Sequence, residues 1–232
     1  MNILLTGASR GIGAATLDHL RAAGHRVAGH STAGADGLIA ADFTDPAAPR
    51  ALWDAALAEL GTIDVLVNNA GVFEAIADDA DDIAWHAAWG RTLTINLQAS
   101  ADLCRLALAH FRQRGGGRIV NVASRAAYRG DSPQHWHYAA SKAGMIAMTK
   151  SIARGYAAEN ILAFAVCPGF TMTGMAEDYL GSRGGEKLLA DIPLGRVAEA
   201  AEIAETIRWL GIDAPPSATG AVIDVNGASY VR

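Results

Sequence analysis

The sequence is poor in cysteine, in positive charge and in long apolar runs. Its 232 residues include two cysteines, Cys104 and Cys167, whose separation suits neither a disulfide framework nor a metal-ligand spacing, so we expect buried thiols. The net charge is −5 without a basic run, which argues against a nucleic-acid or anionic membrane partner. No apolar stretch reaches the ~20 residues of a membrane span, and the first residues do not resemble a signal peptide. We therefore expect a soluble, cytoplasmic protein.

The residues that are present favour one folded domain. Hydrophobic residues make up 51% of the chain and charged residues 19%, a balance that disfavours disorder. The length suits one large α/β domain, and no repeat or linker divides it. We therefore expect a single domain over residues 1–232.

Short apolar runs alternate with longer helical patterns along the chain. Strands are predicted at Asn2–Thr6, Arg26–His30, Leu38–Ala41, Ile63–Val67, Arg118–Ala123, Ile161–Cys167 and Ala221–Val225. Helices are predicted at Gly11–Ala23, Pro46–Leu60, Asp79–Gly90, Arg91–Arg114, Tyr138–Ala158 and Glu199–Leu210, with Pro46 in the first turn of its helix. The alternation predicts a doubly wound, Rossmann-like parallel sheet of about seven strands between two helix layers.

A glycine-rich turn joins the first predicted strand to the first helix. It reads Thr6-Gly7-Ala8-Ser9-Arg10-Gly11-Ile12-Gly13. Glycines here permit a tight turn and a close backbone approach to a pyrophosphate, while the helix N-terminus attracts phosphate charge. A simple strand-to-helix turn is the alternative, but position and context favour a nucleotide.

The end of the second strand bears on which nicotinamide dinucleotide would bind. NAD-binding proteins typically carry an acid there to hold the ribose 2′-OH, whereas this chain has Gly29-His30-Ser31-Thr32, and Asp36 lies too far along. Arg10 could pair with a 2′-phosphate, or it could be a solvated surface arginine. The pattern predicts NADP(H) in preference to NAD(H). Asp42 either accepts a hydrogen bond from adenine or caps the Pro46 helix.

Tyr138 and Lys142 are four residues apart in a predicted helix. Their side chains would therefore leave the same helix face, one turn apart. A nearby cation stabilises a phenolate and lowers the tyrosine pKa. Such a pair can exchange a proton with an alcohol or a carbonyl.

Six motifs in one order resemble the short-chain dehydrogenase/reductase family, in its single-domain branch, over nearly the whole chain. They are Thr6-Gly7-x-x-x-Gly11-x-Gly13, Asn68-Asn69-Ala70-Gly71, Asn96, Ser124, Tyr138-x-x-Ser141-Lys142 and Pro168-Gly169. Within the family, Val27-Ala28-Gly29, the stretch 42–46 and Pro168-Gly169-Phe170 are most similar to the 3-oxoacyl-acyl-carrier-protein reductases.

The resemblance implies a role for each matching residue. Tyr138 is expected to be the general acid in reduction and the base in oxidation, and Lys142 to lower its pKa and hold the nicotinamide ribose. Ser124 would hydrogen-bond the substrate oxygen, and Asn96 would kink a helix and position a water for proton transfer. The residues expected to bind the cofactor are Gly7, Ser9, Arg10, Gly11, Ile12, Gly13, His30, Ser31, Asp42, Phe43, Asn69, Ala70, Gly71, Tyr138, Lys142, Pro168, Gly169, Thr171 and Thr173.

The interval from Ser124 to Tyr138 is long for this family. Residues 125–137 carry aromatic and basic side chains that either shape a pocket for a polar or anionic substrate or form a packed loop. His135 and His137 have a metal-like spacing, but no carboxylate or cysteine joins them, so we expect no metal. Trp85, Trp89 and Trp209 are expected in the core or an interface.

The sequence thus predicts an NADP(H)-dependent enzyme that reduces a carbonyl of a small molecule to a secondary alcohol, reversibly. The alternatives are an NAD-dependent sugar or polyol dehydrogenase, a dinucleotide-binding sensor without catalysis, and, less in keeping with the length, an epimerase or dehydratase. The resemblance implies a homodimer or homotetramer formed through the long helices and the C-terminal strand.

Overall fold

A computed structural model describes residues 1–172 and 189–232. Within these ranges a parallel sheet contains seven strands: β1 (Asn2–Leu5), β2 (Arg26–Ser31), β3 (Ile39–Ala40), β4 (Val65–Asn68), β5 (Gly117–Val122), β6 (Ile161–Pro168) and β9 (Val222–Val225). Their order is β3-β2-β1-β4-β5-β6-β9. A separate pair is formed by β7 (Thr171–Met172) and β8 (Ala198–Glu199). The predicted doubly wound parallel sheet is confirmed.

The central strands are buried on both faces, and their side chains alternate between two cores. Leu4 and Leu66 point into one core with Leu52 and Leu103, whereas neighbouring residues such as Ile3 point into the other. This is the pattern of a parallel sheet covered by helices on both sides, and it explains why the strands are continuous apolar runs in the sequence.

The helices form the two outer layers. One face carries α2 (Ala48–Leu60), α4 (Ala99–Arg114) and α6 (Trp136–Tyr156), and the other carries α1 (Gly11–Ala22) and α7 (Ala200–Ile212). Helix α3 (Asp82–Leu93) runs through a π-helical segment, Thr94–Gln98, into α4, and α5 (Ala126–Arg129) is a single turn. None of the helices in the described part of the chain has the length and apolarity needed to cross a membrane.

Helix ends differ from the sequence predictions where local chemistry decides them. The proline in the first turn of α2 is Pro49, and the prediction of Pro46 was wrong. Helix α3 begins three residues later than expected because Asp81 caps it, its Oδ1 accepting from the Ala84 amide at 2.8 Å. Helix α6 begins two residues earlier, so that Trp136 and His137 belong to the helix that carries Tyr138.

A buried polar chain fixes α6 against the centre of the sheet. The Asn68 amide donates to Asn121 Oδ1 at 2.8 Å, and the Asn121 amide donates to Thr149 Oγ1 at 2.8 Å. All three residues are buried, so these hydrogen bonds satisfy groups that would otherwise be costly to desolvate. This series of side-chain hydrogen bonds therefore sets the position of α6, and with it the positions of Tyr138 and Lys142.

Candidate functional site

The site lies where the chain reverses direction across the sheet, at the carboxyl ends of the adjacent strands β1 and β4. In open α/β sheets such a switch point opens a crevice for ligands. Here Thr6 Oγ1 accepts from the backbone amides of Asn69 and Ala70 at 2.9 and 3.0 Å. The Asn69 side chain in turn donates to the carbonyls of Thr6 and Gly7, both at 3.0 Å. These bonds join the two strand ends into one rigid floor.

The glycine turn forms a cradle whose shape depends on the absence of side chains. Gly7 and Gly11 have φ of +68° and +56°, a region that costs a larger residue energy. A Cβ on Gly13 would lie 1.8 Å from the Gly7 carbonyl oxygen, and one on Gly7 would lie 2.8 Å from Ala70 Cα. Arg10 is exposed and supplies no side-chain cap to α1, which leaves the first-turn amides open to an anion. The turn therefore fits a dinucleotide pyrophosphate.

His30 braces this turn from below. Its Nδ1 accepts from the Gly7 amide at 3.1 Å, so Nε2 carries the proton and donates to the Ala41 carbonyl at 2.8 Å. The ring is 2% exposed and stacks on Phe43 with centroids 4.5 Å apart. Burial lowers the His30 pKa. Both ring nitrogens are occupied by backbone groups, so they are not available to the cofactor for which we predicted His30 as a ligand.

The other residues predicted around the adenosine end line the same wall. The Ser31 hydroxyl accepts from the Gly34 amide at 3.0 Å, and the Phe43 ring is buried against His30. Asp42 is exposed, and its Oδ1 accepts from the amide and hydroxyl of Thr44 at 2.9 and 2.8 Å. These bonds lower the Asp42 pKa. The alternative that Asp42 caps the following helix was wrong, because α2 has Ala47 at its N-cap position.

Tyr138 and Lys142 share one face of α6, as predicted, and the Lys142 Nζ lies 5.8 Å from the Tyr138 ring centroid. Lys142 is 4% exposed and donates to the Val122 carbonyl at 2.8 Å. Burial lowers the Lys142 pKa to about 8. Burial also raises the Tyr138 pKa to about 12, against the opposing effect of the Ser124 hydroxyl. The expected lowering of the tyrosine pKa by Lys142 does not appear in this structure: the opposing effect comes from Ser124, and desolvation outweighs it.

Ser124 and Asn96 lie beside this pair. Ser124 follows β5, and its Oγ accepts from the Ala126 amide at 3.1 Å, which starts the short helix α5. Asn96 lies in the π-helical segment, a break that agrees with the expected helix kink. Its amide group exchanges two hydrogen bonds with the Val72 backbone, at 2.8 and 3.0 Å, and donates to Ser141 Oγ at 3.2 Å. Asn96 thereby fixes the segment that follows Gly71.

Gly71 brings this polar group next to the cofactor crevice. A Cβ at Gly71 would lie 3.3 Å from Asn96 Oδ1 and 3.5 Å from Lys142 Nζ. The glycine therefore allows the chain after β4 to run close to both side chains. Asn96, Lys142 and the crevice formed by Asn69 and Ala70 are consequently parts of one site.

The opposite wall is formed by the chain after β6. Gly169 donates to the Val225 carbonyl at 3.0 Å, and the Arg125 amide donates to the Pro168 carbonyl at 3.0 Å. Thr171 is buried, and its hydroxyl donates to the Gly169 carbonyl at 3.2 Å. Thr173 lies outside the described residues. The Pro168-Gly169 turn is therefore held between the Ser124 segment and the last strand.

The loop after Ser124 contains a cluster of charge. The Arg125 side chain is 10% exposed and lies 3.5 Å from Asp191 Oδ2, which also binds Arg129 at 2.6 Å. The Arg125 guanidinium lies over the Phe170 ring at 4.6 Å. Burial lowers the Arg125 pKa, and the pairing with Arg129 lowers the Asp191 pKa. Part of this loop is thus packed, as one of our two alternatives proposed. Among the described residues, no group of three or more His, Cys, Asp or Glu side chains is placed to hold a metal.

Sequence reasoning missed Asn121 and Phe73, and it named Asn68 only as part of a motif, without a role. Asn68 and Asn121 are polar residues inside otherwise apolar strands, and that interruption was a usable signal. Phe73 had no signal, because only the fold brings its ring to 4.8 Å from that of Tyr138. Of the three tryptophans expected in the core or an interface, Trp85 and Trp89 lie partly buried in α3, with ring centroids 5.9 Å apart, whereas Trp209 in α7 is 38% exposed.

The fold and the glycine cradle define a dinucleotide-binding protein of the doubly wound class. A family model described as enoyl-(acyl carrier protein) reductase matches residues 7–228. The chain is 34% identical to the acetoacetyl-CoA reductase of Rhizobium meliloti, covering 98% of this chain and 97% of that protein. It is also 34% identical to the 3-oxoacyl-[acyl-carrier-protein] reductase of Escherichia coli, covering 98% and 96%. It is 37% identical to the cis-4-hydroxycyclohexanecarboxylate dehydrogenase of Sinomonas cyclohexanicum, covering 97% and 94%.

The chain therefore belongs to the short-chain dehydrogenase/reductase family. It is an oxidoreductase that uses a nicotinamide dinucleotide to interconvert a carbonyl and an alcohol.

Proposed function

We propose that this protein is an NADPH-dependent ketone reductase in which Tyr138 supplies the proton. The observation that carries the proposal is the convergence of Tyr138, Lys142, Ser124 and Asn96 beside the glycine cradle. When bound, the nicotinamide supplies or accepts the hydride. The residues of the chain then have to orient the carbonyl and move one proton.

Tyr138 is suited to the acid role. With a pKa of about 12, its phenol is protonated at neutral pH and is ready to donate when negative charge develops on the substrate oxygen. Lys142 has a pKa of about 8, so its ammonium predominates at pH 7 and favours negative charge nearby. Oxidation needs the phenolate as a base, so we expect it to be faster at alkaline pH.

Ser124 and Asn96 have supporting roles. The Ser124 hydroxyl can hydrogen-bond the substrate oxygen as charge develops there. Asn96 is a positioning residue, because its side chain is committed to the Val72 backbone and to Ser141. We further propose that it orders a water through which the proton on Tyr138 is replaced.

Tyr138→Phe tests the acid role directly. The variant keeps the ring and loses only the hydroxyl, so we expect carbonyl reduction to fall by at least about 100-fold, with cofactor affinity nearly unchanged. Stopped-flow absorbance of NADPH measures the first quantity, and calorimetric titration with NADPH measures the second. Turnover that survives in the variant excludes Tyr138 as the proton donor. Absence of turnover in the wild type, despite cofactor binding, would support the alternative of a dinucleotide sensor.

The preference for NADPH is supported by charge at the adenosine end. The end of β2 carries no acid that would repel a 2′-phosphate, and the Arg10 side chain is exposed at the mouth of the cradle. Arg10→Ala should therefore weaken NADPH binding by roughly tenfold and leave NADH binding nearly the same. Arg50→Ala, which removes an exposed arginine from α2, is the matched control. A wild type that binds NADH more tightly contradicts the preference.

The substrate class is a ketone or its secondary alcohol. Two of the similar proteins are named for acyl thioesters and one for a hydroxylated ring, so their names divide between open-chain and cyclic compounds. A sugar or polyol oxidised with NAD remains the alternative. A panel of ketones and polyols assayed with both cofactors separates the two.

We also propose that the protein assembles as a homodimer or homotetramer. Support comes from its family and from the small residues on α6, where a Cβ added at Gly155 would meet no atom within 4 Å. Such a surface permits close helix packing between subunits. Light scattering that gives the mass of a single chain would contradict this assembly.

A further inference from the structure

Two rings from separate loops stack beside Tyr138. Phe73 follows the Asn69–Gly71 turn, and His135 comes three residues before Tyr138. Their rings are nearly parallel, at 5°, with centroids 3.9 Å apart. The Phe73 ring also meets the Tyr138 ring edge to face, at 4.8 Å and 81°. The ring of the proposed proton donor therefore has an aromatic neighbour in the segment that follows Asn69–Gly71.

This stacked pair is held in place before any ligand arrives. The Ile76 amide donates to the Gln134 carbonyl at 3.0 Å, which ties the two loops together. The His135 Nδ1 is hydrogen-bonded to the Ser132 hydroxyl at 2.6 Å. His135 covers one face of Phe73, yet Phe73 remains 46% exposed. An apolar aromatic surface is thus fixed in the open, next to the phenol.

We propose that Phe73, backed by His135, is a specificity-determining residue that binds a ring in the substrate, so that the preferred carbonyl carbon belongs to a ring or is bonded directly to one. The inference rests on the proposed function, because it takes Tyr138 as the group that holds the carbonyl oxygen. A substituent on that carbonyl carbon comes within van der Waals reach of a ring only 4.8 Å from the phenol ring.

Ring chemistry distinguishes this surface from a channel for an acyl chain. A six-membered ring, saturated or aromatic, can lie with one face on the Phe73 ring and bury apolar surface there, and a rigid ring pays little entropy on binding. A flexible open chain gains less from one flat surface and loses rotamer freedom there. Contact with Phe73 should therefore make the enzyme prefer a ketone with a six-membered ring over an open-chain ketone with the same number of carbons.

The test compares cyclohexanone with 3-hexanone, which have the same number of carbons. We expect the wild type to have the higher kcat/KM for cyclohexanone. Phe73→Leu, which keeps an apolar side chain but removes the flat ring, should lower the cyclohexanone to 3-hexanone ratio of kcat/KM by about 2-fold to 10-fold, the effect of a few tens of Å² of apolar surface. Phe73→Tyr, which keeps the ring, should restore most of that ratio. Trp209→Leu is the matched control, because Trp209 is also partly exposed, at 38%, but lies in α7 on the other face of the sheet.

The outcomes separate this inference from the proposed function. A ratio that Phe73→Leu leaves unchanged, or a wild type that prefers 3-hexanone, overturns the role of Phe73 while ketone reduction stands. A Trp209→Leu effect as large as that of Phe73→Leu also overturns it, because the effect would then be unspecific. If the wild type binds NADPH but reduces neither ketone nor any member of the wider panel, the proposed function itself fails. Thermal unfolding of each variant shows whether the fold is retained.

Discussion

The His30 side chain is hydrogen-bonded to the glycine turn and to the residue after β3, and we expect the contact with the turn to control NADPH affinity. The ring is 2% exposed and joins the Gly7 amide to the Ala41 carbonyl. His30→Asn places an oxygen near the former Nδ1 and keeps an acceptor for Gly7. His30→Gln reaches further and keeps a donor for Ala41. The two variants thus separate the contact with the glycine turn from the contact with β3.

The size of the effect follows from the buried groups that lose a partner. An unsatisfied buried amide costs about 1–3 kcal/mol. In His30→Gln the Gly7 amide loses its acceptor, and the glycine turn no longer has this contact to hold it in the shape that binds NADPH. We therefore expect the Kd for NADPH to rise by roughly 5-fold to 30-fold. His30→Asn should bind NADPH within about threefold of the wild type, although it loses about 1 kcal/mol of stability with the Ala41 contact.

The pH dependence gives a second measurement on the same residue. Burial lowers the His30 pKa below its ordinary 6.5, so the folded state resists protonation. The stability that the neutral ring contributes is complete above pH 6.5 and is lost as the pH falls through the lowered pKa. Protonation puts a donor at Nδ1 opposite the Gly7 donor, so NADPH affinity should fall with it.

Calorimetric titration with NADPH between about pH 5 and 8 tests the predicted loss of affinity, and urea unfolding over the same pH range tests the predicted loss of stability. The wild type should lose affinity at the acid end more steeply than His30→Asn, which has no imidazole at this position. Equal acid sensitivity in the two proteins would refute the role assigned to His30. Tight NADPH binding by His30→Gln combined with weak binding by His30→Asn would also refute it, because the contact with Gly7 would then be dispensable.

Three further predictions concern stability and the cradle. Lys142→Met removes an ammonium whose pKa is about 8 instead of 10.5, so the stability of the variant relative to the wild type should decline by about 3 kcal/mol as the pH rises through that window. Asp191→Ala leaves the Arg125 guanidinium, 10% exposed, without its carboxylate and should cost about 1–3 kcal/mol. Gly13→Ala places a Cβ 1.8 Å from a backbone oxygen and should weaken NADPH binding by more than about 30-fold, if the variant folds.

Each of these predictions has its own control. Urea unfolding at several pH values measures the Lys142 effect, and a difference that does not depend on pH speaks against a buried charge. Glu74→Ala breaks an exposed ion pair with Arg91 and should lower the free energy of unfolding by less than about 1 kcal/mol. If Asp191→Ala lowers it by the same amount, the burial of Arg125 has no effect on the strength of its ion pair. Gly90→Ala, in α3, meets no atom within 4 Å and should stabilise that helix by about 0.5–1 kcal/mol without changing NADPH affinity.

The sequence could predict features that depend on local pattern. Continuous apolar runs identified the strands, because both faces of a parallel sheet are buried, and glycines at the first turn indicated a close backbone approach. The four-residue spacing of Tyr138 and Lys142 placed them on one helix face. Helix ends were less predictable, since Asp81 and Pro49 act through hydrogen bonds and dihedral angles that several nearby residues could have supplied equally well.

The sequence by itself determined the sheet, the glycine turn, the family and the four residues that we propose for catalysis, because each follows from residue types at short spacings along the chain. Only the tertiary structure decided that His30 binds the Gly7 amide and the Ala41 carbonyl, that burial shifts the pKa values of Tyr138 and Lys142, and that the Phe73 ring contacts the Tyr138 ring. Those depend on burial and on contacts between residues up to 65 positions apart in the chain, as for Phe73 and Tyr138. Desolvation and long-range contact exist only once the chain has folded, so no local pattern records them.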